Sequence, residues 1–335
     1  MKEIEQLIEI SQFYGRDSRY VIAGGGNTSY KNADKIWVKA SGASLATITE
    51  DGFALLDRTK LRPMSEKKYS DDVAQREDEV KNDLAAATLT KDKRPSVETS
   101  MHNIIEYAFV VHLHPTLVNA LMCSQQAESM LKKLFGEKAL FVEYTDPGYV
   151  LFKKVEEKIK AFRAAYNEEP HVIWLQNHGI FVAADTIEEI KNIYSDIFGT
   201  LEKSLQKTLP SDETLPSQDV EKVIPAVRMM LSGNGLKTLK VRNNPLIAFF
   251  SEKVENRKLI AKPFTPDEIV YCKSNYLFFD SDSEEALLRE AETQIPIFNE
   301  KQGYHPHVLP RGWHRLTFSR LCAFRQFWGW WWFAV

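Results

Sequence analysis

The segment HVIWLQNHGIFVAA, residues 171–184, sets two apolar runs of strand length on either side of Asn177, His178 and Gly179. β-Branched and aromatic residues suit a pleated, packed surface, while Asn and Gly tolerate the backbone angles of a tight turn. The segment therefore reads as two strands joined by a tight turn, with a histidine in the turn itself. Strands in hairpin succession pair antiparallel, which argues against a purely parallel sheet.

Working outward, YVIAGGGNTSYK (20–31) reads as a strand, a glycine run and a return strand, and DKIWVKASGAS (34–44) as a strand ending in a Ser-Gly turn. NIIEYAFVVHLHP (103–115) passes from a helix end into a buried strand that Pro115 terminates. Ile4, Leu7 and Ile8 have helical spacing, 71–88 and 153–166 are amphipathic, and Thr186 is the candidate N-cap of a long helix that follows it. The first 210 residues thus form one α/β unit. LPSDETLPSQD (209–219) has linker composition, and residues 220–308 read as a smaller appended α/β module. The tail, 311–335, crowds five of the 7 tryptophans among arginines with almost no acids. Its abrupt change of composition favours an aberrant C-terminus over a membrane-binding one, and its apolar run is too short to span a bilayer.

With 44% hydrophobic and 27% charged residues and a formal net charge of -3, the chain offers no basic field for nucleic acid and no membrane segment. The three cysteines lie far apart, which fits a reducing compartment, and the N-terminal segment carries acids through its apolar positions. A cytoplasmic protein is expected.

Two of the 8 histidines, His112 and His114, stand one residue apart at the end of the buried strand. Alternate residues of a strand share a face, so the two imidazoles point the same way and can converge on one metal ion. His178, in the 176–179 turn, makes a third. Three protein ligands with a position left open is the pattern of a catalytic rather than a structural metal site. Glu98, four residues before His102, could lie beside the metal, or could simply be a helix-start carboxylate capped by Ser96. The loops GGGNTS (24–29) and ASGAS (40–44) can aim backbone N–H groups and hydroxyls at a phosphate, or be plain turns.

Taken together, GGGNTSYK, VKASGASL, RPSVETSMH, HLHP and QNHGIFVAADT resemble, in order and spacing, the class II aldolase/adducin family over residues 5–205. The likeness is strongest to the aldolase part of rhamnulose-1-phosphate aldolase/alcohol dehydrogenase-type members, which also carry a segment like PFTPDEIVY (263–271) and continue into a dehydrogenase half, which this chain is expected to lack. The resemblance implies a three-layer α/β/α fold around a largely antiparallel sheet, and a homo-oligomer, commonly a tetramer. It makes His112, His114 and His178 ligands of Zn²⁺, with another divalent metal as the variant, and makes Glu98 the catalytic carboxylate. Asn27, Ser41 and Gly42, helped by Thr28 and Ser96, would hold the substrate phosphate. Tyr144, from a neighbouring subunit, would be the acid for the departing aldehyde oxygen, with Glu143 as the alternative. Val97 departs from the pattern, because a second hydroxyl residue often precedes the catalytic glutamate.

The implied reaction cleaves a ketose 1-phosphate, rhamnulose-1-phosphate-like, to dihydroxyacetone phosphate and an aldehyde through a metal-stabilised enediolate. A 4-epimerase or dehydratase could use the same site. A non-catalytic adducin-like module is the remaining alternative, and the intact histidine set argues against it.

Overall fold

All five residues of Phe109–Leu113 are buried, so this strand must be packed on both faces. The computed structural model describes residues 2–205, 218–232, 235, 237–242, 244–281, 283–310 and 320–322. The chain divides into two units after Leu205. The first runs α1 (Lys2–Gly15), β1 (Asn27–Lys31), β2 (Lys35–Lys39), β3 (Phe53–Asp57), α2 (Arg58–Leu61), α3 (Val73–Ala87), α4 (Thr99–Ile104) and β4 (Phe109–Leu113). It continues through α5 (Thr116–Met122), α6 (Ala127–Phe135), β5 (Leu140–Val142), α7 (Tyr149–Tyr166), β6 (Val172–Leu175), β7 (Gly179–Ala184) and α8 (Ile187–Ser204).

The seven strands form one sheet in the order β3-β2-β1-β4-β7-β6-β5. β5 and β6, joined through α7, are parallel, and every other adjacent pair is antiparallel. Alternation sorts the strand side chains into two layers. On one face Val111, Leu113, Ile180 and Val182 pack with Leu7, Ile10 and Tyr14 of α1 and Ile190 and Tyr194 of α8. On the other, Val110, Ile173, Phe181 and Ala183 meet Met101 of α4 and Val155 and Ile159 of α7. Further along, Ile36, Val38, Ala54 and Leu56 pack against Val80 and Leu84 of α3. Helices thus cover both faces, giving the three-layer α/β/α arrangement with a largely antiparallel sheet. Strands buried on both sides read as continuous apolar runs, as β7 does.

Local signals account for the element ends. The Thr186 hydroxyl accepts from the Glu189 N–H, and Asp72 caps α3 in the same way. The expected strand at 20–23 does not form. Ala23 has φ 54° and Gly25 N–H closes a turn onto the Ile22 carbonyl, so Val21 and Ile22 are buried as irregular chain. Apolar character there reflected burial alone, without a ladder partner.

The second unit, described by itself, contains α9 (Gln218–Ser232), β8 (Lys240–Arg242), α10 (Pro245–Glu252), α11 (Val254–Leu259), α12 (Pro266–Cys272), α13 (Glu284–Gln302), β9 (Val308–Pro310) and β10 (Arg320–Cys322). Val223, Val227 and Leu231 of α9 pack with Leu287, Ala291 and Ile295 of α13. β10 lies between β8 and β9, antiparallel to both. It is the part of the 311–335 tail that falls within the described residues, and most of the 209–219 linker lies outside them. Among the described residues, no helix is long and apolar enough to cross a membrane.

Gly179 opens β7 where a Cβ would lie 2.4 Å from the Leu113 carbonyl oxygen and 2.6 Å from His114 Cδ2. Gly179→Ala is expected to destabilise the fold by about 1–3 kcal/mol through overpacking. Gly199→Ala, in α8 with open space around the new methyl, is expected to stabilise it by about 0.5–1 kcal/mol. Urea midpoints of the two variants check both signs.

Candidate metal centre

β4 sits between β1 and β7, with His112 opposite Asn27 on one side and Phe181 on the other. His112 and His114 share the face of Val110, as their spacing requires. The 176–179 turn brings His178 to the same place. Asn177 takes φ 57° to make that turn, and the buried Asn119 of α5 donates from Nδ2 to the His178 carbonyl at 2.9 Å. The result is three buried imidazoles whose ligand atoms lie within 4.8 Å of one another. The Phe181 ring stacks on His112 with centroids 4.0 Å apart, fixing the ring plane.

The His112 Nδ1–H donates to the Ile180 carbonyl at 3.1 Å. A carbonyl only accepts, so the neutral ring carries its proton on Nδ1 and its lone pair on Nε2. That lone pair faces His114 Nε2 at 2.9 Å and Glu98 Oε1 at 3.3 Å, and Glu98 Oε1 is also 3.3 Å from His178 Nε2. Burial lowers the His112 pKa to about 4, against the pull of Glu98, and the neighbouring imidazoles add to the drop. Burial by itself would raise Glu98, but His112 and His178 outweigh it and hold the carboxyl well below its usual range. At neutral pH the site therefore presents a neutral His112 ring and an ionised Glu98 carboxylate. An imidazole lone pair and an ionised carboxylate, both out of water, are what a divalent cation would satisfy.

Glu98 occupies the position before α4, where it caps nothing with its side chain. Its Oε2 accepts from Asn27 Nδ2, which also donates to Ser96 Oγ at 3.3 Å. Ser96 Oγ in turn accepts from the Glu98 N–H at 3.2 Å. His102 does not reach the ring cluster directly. Its Nδ1 shares a hydrogen bond with Ser29 Oγ at 2.7 Å, and its ring meets Phe181 edge-on, buttressing the residue that stacks on His112.

The two loops close differently. Ala43 N–H bonds to the Ala40 carbonyl, and Gly42 at the third position has φ +89°, the type II turn that demands glycine there. This turn lies along the Arg94–Glu98 segment, through an Ala40–Pro95 bridge and a Ser41 N–H bond to the Arg94 carbonyl at 2.8 Å.

Asn27, Ser96, Glu98, His112, His114 and His178 are thus drawn together, with Ser41 and Gly42 beside Ser96's own segment. Thr28 is a correction. It follows Asn27 in β1 and so turns to the opposite face, where it is fully buried and bonds Ser11 of α1 at 2.7 Å. Tyr144 is 56% exposed, and its hydroxyl donates to Asp146 at 3.0 Å, which raises its pKa. Its backbone N–H bonds Gln176 Oε1 at 3.0 Å, tying its loop to the turn that carries His178. Glu143 is paired with Lys154 and Lys158 at 2.8 and 2.9 Å. Burial opposes those lysines, yet they bring its pKa down to about 2, so it holds no proton to give at neutral pH. Asn119, Phe181 and Arg94 escaped the sequence reading. Arg94 and Phe181 stood inside quoted motifs without being singled out, and Asn119 looked like an ordinary helix residue.

The family model for the class II aldolase and adducin N-terminal domain matches residues 5–197, more than half of the chain, and the protein belongs to that family. A protein of Bacillus subtilis (strain 168) named "Uncharacterized oxidoreductase YuxG" is 24% identical over 306 residues, covering 84% of this chain and 43% of that one. The L-fuculose phosphate aldolase of Methanocaldococcus jannaschii is 26% identical over 171 residues, covering 49% of this chain and 75% of its own. In three dimensions, the N-terminal class II aldolase domain of a conserved protein from Thermoplasma acidophilum matches with a TM-score of 0.52 at 24% identity, over 60% of this chain and 93% of that one. That likeness bears on the fold alone. The chain spans less than half the length of its Bacillus relative.

Wild-type protein dialysed against Zn²⁺ is expected to retain about one ion per chain, the number a single three-histidine site accommodates. His112→Ala and His178→Ala should each lose it. Full zinc occupancy in both variants, measured by plasma emission, would remove the histidines from the ligand set.

Proposed function

We propose that the first unit is a zinc-dependent aldolase that cleaves a ketose 1-phosphate, rhamnulose-1-phosphate-like, into dihydroxyacetone phosphate and an aldehyde. The observation that carries this reading is the convergence of three buried imidazoles beside an ionised Glu98 whose other oxygen is held by Asn27. When bound, the cation supplies the Lewis acidity that draws electron density from the ketose carbonyl. The family resemblance and the fuculose-phosphate relative support the substrate class.

Glu98 moves the proton at the donor carbon. With Oε2 held by Asn27, its Oε1 is the oxygen presented on the histidine side, and an ionised carboxylate is ready to accept. Asn27 therefore orients the base, since its amide hydrogens are directed to Ser96 and Glu98. The Ser41–Gly42 turn and Ser96 supply donors for the phosphate, converting its binding into orientation of the reacting carbons. Tyr144 protonates the departing aldehyde oxygen when contributed by a second copy in a homo-oligomer. Its exposure and its raised pKa support that role, because such a phenol stays protonated at neutral pH.

A 4-epimerase or a dehydratase would draw on the same groups, and product analysis with L-rhamnulose, L-fuculose and D-ribulose phosphates separates the three. A non-catalytic module has no use for a buried carboxylate set against a cluster of buried histidines.

Glu98→Gln keeps the shape of the site and removes the base. It is expected to bind zinc normally and to lose about 10²–10⁴-fold in the exchange of deuterium into dihydroxyacetone phosphate. Wild-type exchange rates in this variant would show that another group carries the proton. Ser41→Ala is expected to raise KM for the phosphorylated ketose with little change in kcat or metal content. An unchanged KM would reduce the 40–44 loop to a plain turn.

A further inference from the structure

Arg94 has no place in the chemistry above, and its setting is unusual for a surface arginine. Its neighbour Lys93 faces Asp51 at 3.7 Å, whereas among the described residues Arg94 pairs with no carboxylate. Its guanidinium instead donates from Nη2 to Ser41 Oγ at 2.8 Å. Its own carbonyl accepts from the Ser41 N–H, also at 2.8 Å, so the side chain and backbone of one residue clasp the other. Guanidinium has five N–H donors in a planar fork, and this contact uses one.

Two consequences follow for the adjacent turn. A hydroxyl that accepts from a cation has its own proton left to donate, so Arg94 orients Ser41 as a donor. The Gly42 N–H takes no part in the turn's own hydrogen bond, which runs from Ala43 to Ala40, and the space where a Gly42 Cβ would stand is empty to 4 Å. The turn therefore has hydroxyl, backbone N–H and guanidinium donors beside open space. Val97, in the same segment, is 71% exposed and offers no donor. The remaining hydroxyl there, Ser96, already receives from Asn27 and from the Glu98 N–H.

We propose that Arg94 is a specificity-determining residue, whose guanidinium, clasped to Ser41, takes the phosphate dianion of the substrate and selects phosphorylated over unphosphorylated ketoses. This rests on the aldolase reading for the identity of the ligand. Planar bidentate recognition of a phosphate is what a fork with free donors does best, and a lysine in its place would keep the charge and lose the geometry.

Calorimetric titration of the zinc-loaded full chain with dihydroxyacetone phosphate, and separately with dihydroxyacetone, tests it. Loss of a charge-assisted contact should weaken phosphate binding in Arg94→Ala by about 10- to 100-fold. Arg94→Lys should recover part of that loss, and the weakening of binding by added NaCl should be smaller in Arg94→Ala than in wild type. Dihydroxyacetone should bind all three proteins alike. A role confined to bracing the turn predicts instead that Arg94→Lys does not rescue and that Arg94→Ala keeps the salt dependence of wild type, and either result overturns the proposal. A wild-type chain that favours the phosphorylated ligand, with Arg94→Ala unchanged, overturns the assignment to Arg94 alone. A wild-type chain with no such preference overturns this inference together with the phosphate loop of the proposed function.

Discussion

The register of β4 between β1 and β7 is the constraint on which the rest of the first unit depends. Because side chains alternate, a slip of one residue would carry His112 and His114 into the layer of α1 and α8 and bring Val111 and Leu113 to the site. The packing forbids that slip. Val111 and Leu113 are locked among α1 and α8 side chains, and Gly179 lets β7 approach the Leu113 carbonyl more closely than any other residue could. The same register sets Asn27 opposite His112 and Phe181 against its ring. One strand alignment therefore fixes two of the clustered imidazoles, the partner of the carboxylate and the aromatic wall.

Burial gives this arrangement its electrostatic character. An ionised carboxylate taken out of water costs several kcal/mol unless it is paired and hydrogen-bonded. Glu98 recovers part of that through Asn27 and through His112 and His178, while burial keeps His112 itself neutral. A cation held at this centre would offset that cost, and its binding would couple to folding. Around this centre the polar groups hold one another in place, Asn119 on His178, Ser29 on His102 and Ser96 on Asn27.

The family model ends at residue 197, close to the boundary between the two units, whereas the match to the Bacillus protein covers 306 residues and must extend well past Leu205. Relatedness therefore continues into the second unit. That unit has its own apolar core between α9 and α13 and its own small sheet.

Much of the centre was legible in the chain itself, since strand alternation is a local property. Two histidines separated by one residue in a strand share a face in any fold, and Asn-His-Gly between two apolar runs makes a tight turn wherever it occurs. The Ser-Gly turn at 41–42 and the Thr186 cap were readable for the same reason, each being settled within a few residues. What needed the tertiary structure were choices between faces and partners distant in sequence. Thr28 belongs to the same motif as Asn27, yet faces α1 because its neighbour took the other side. Tyr20–Ala23 has strand composition but joins no ladder, turning at Ala23 instead. Asn119 supports a histidine 59 positions away, and Arg94 clasps a serine 53 positions upstream. A local pattern determines which way successive side chains point, and only the packing of the whole sheet decides what they meet.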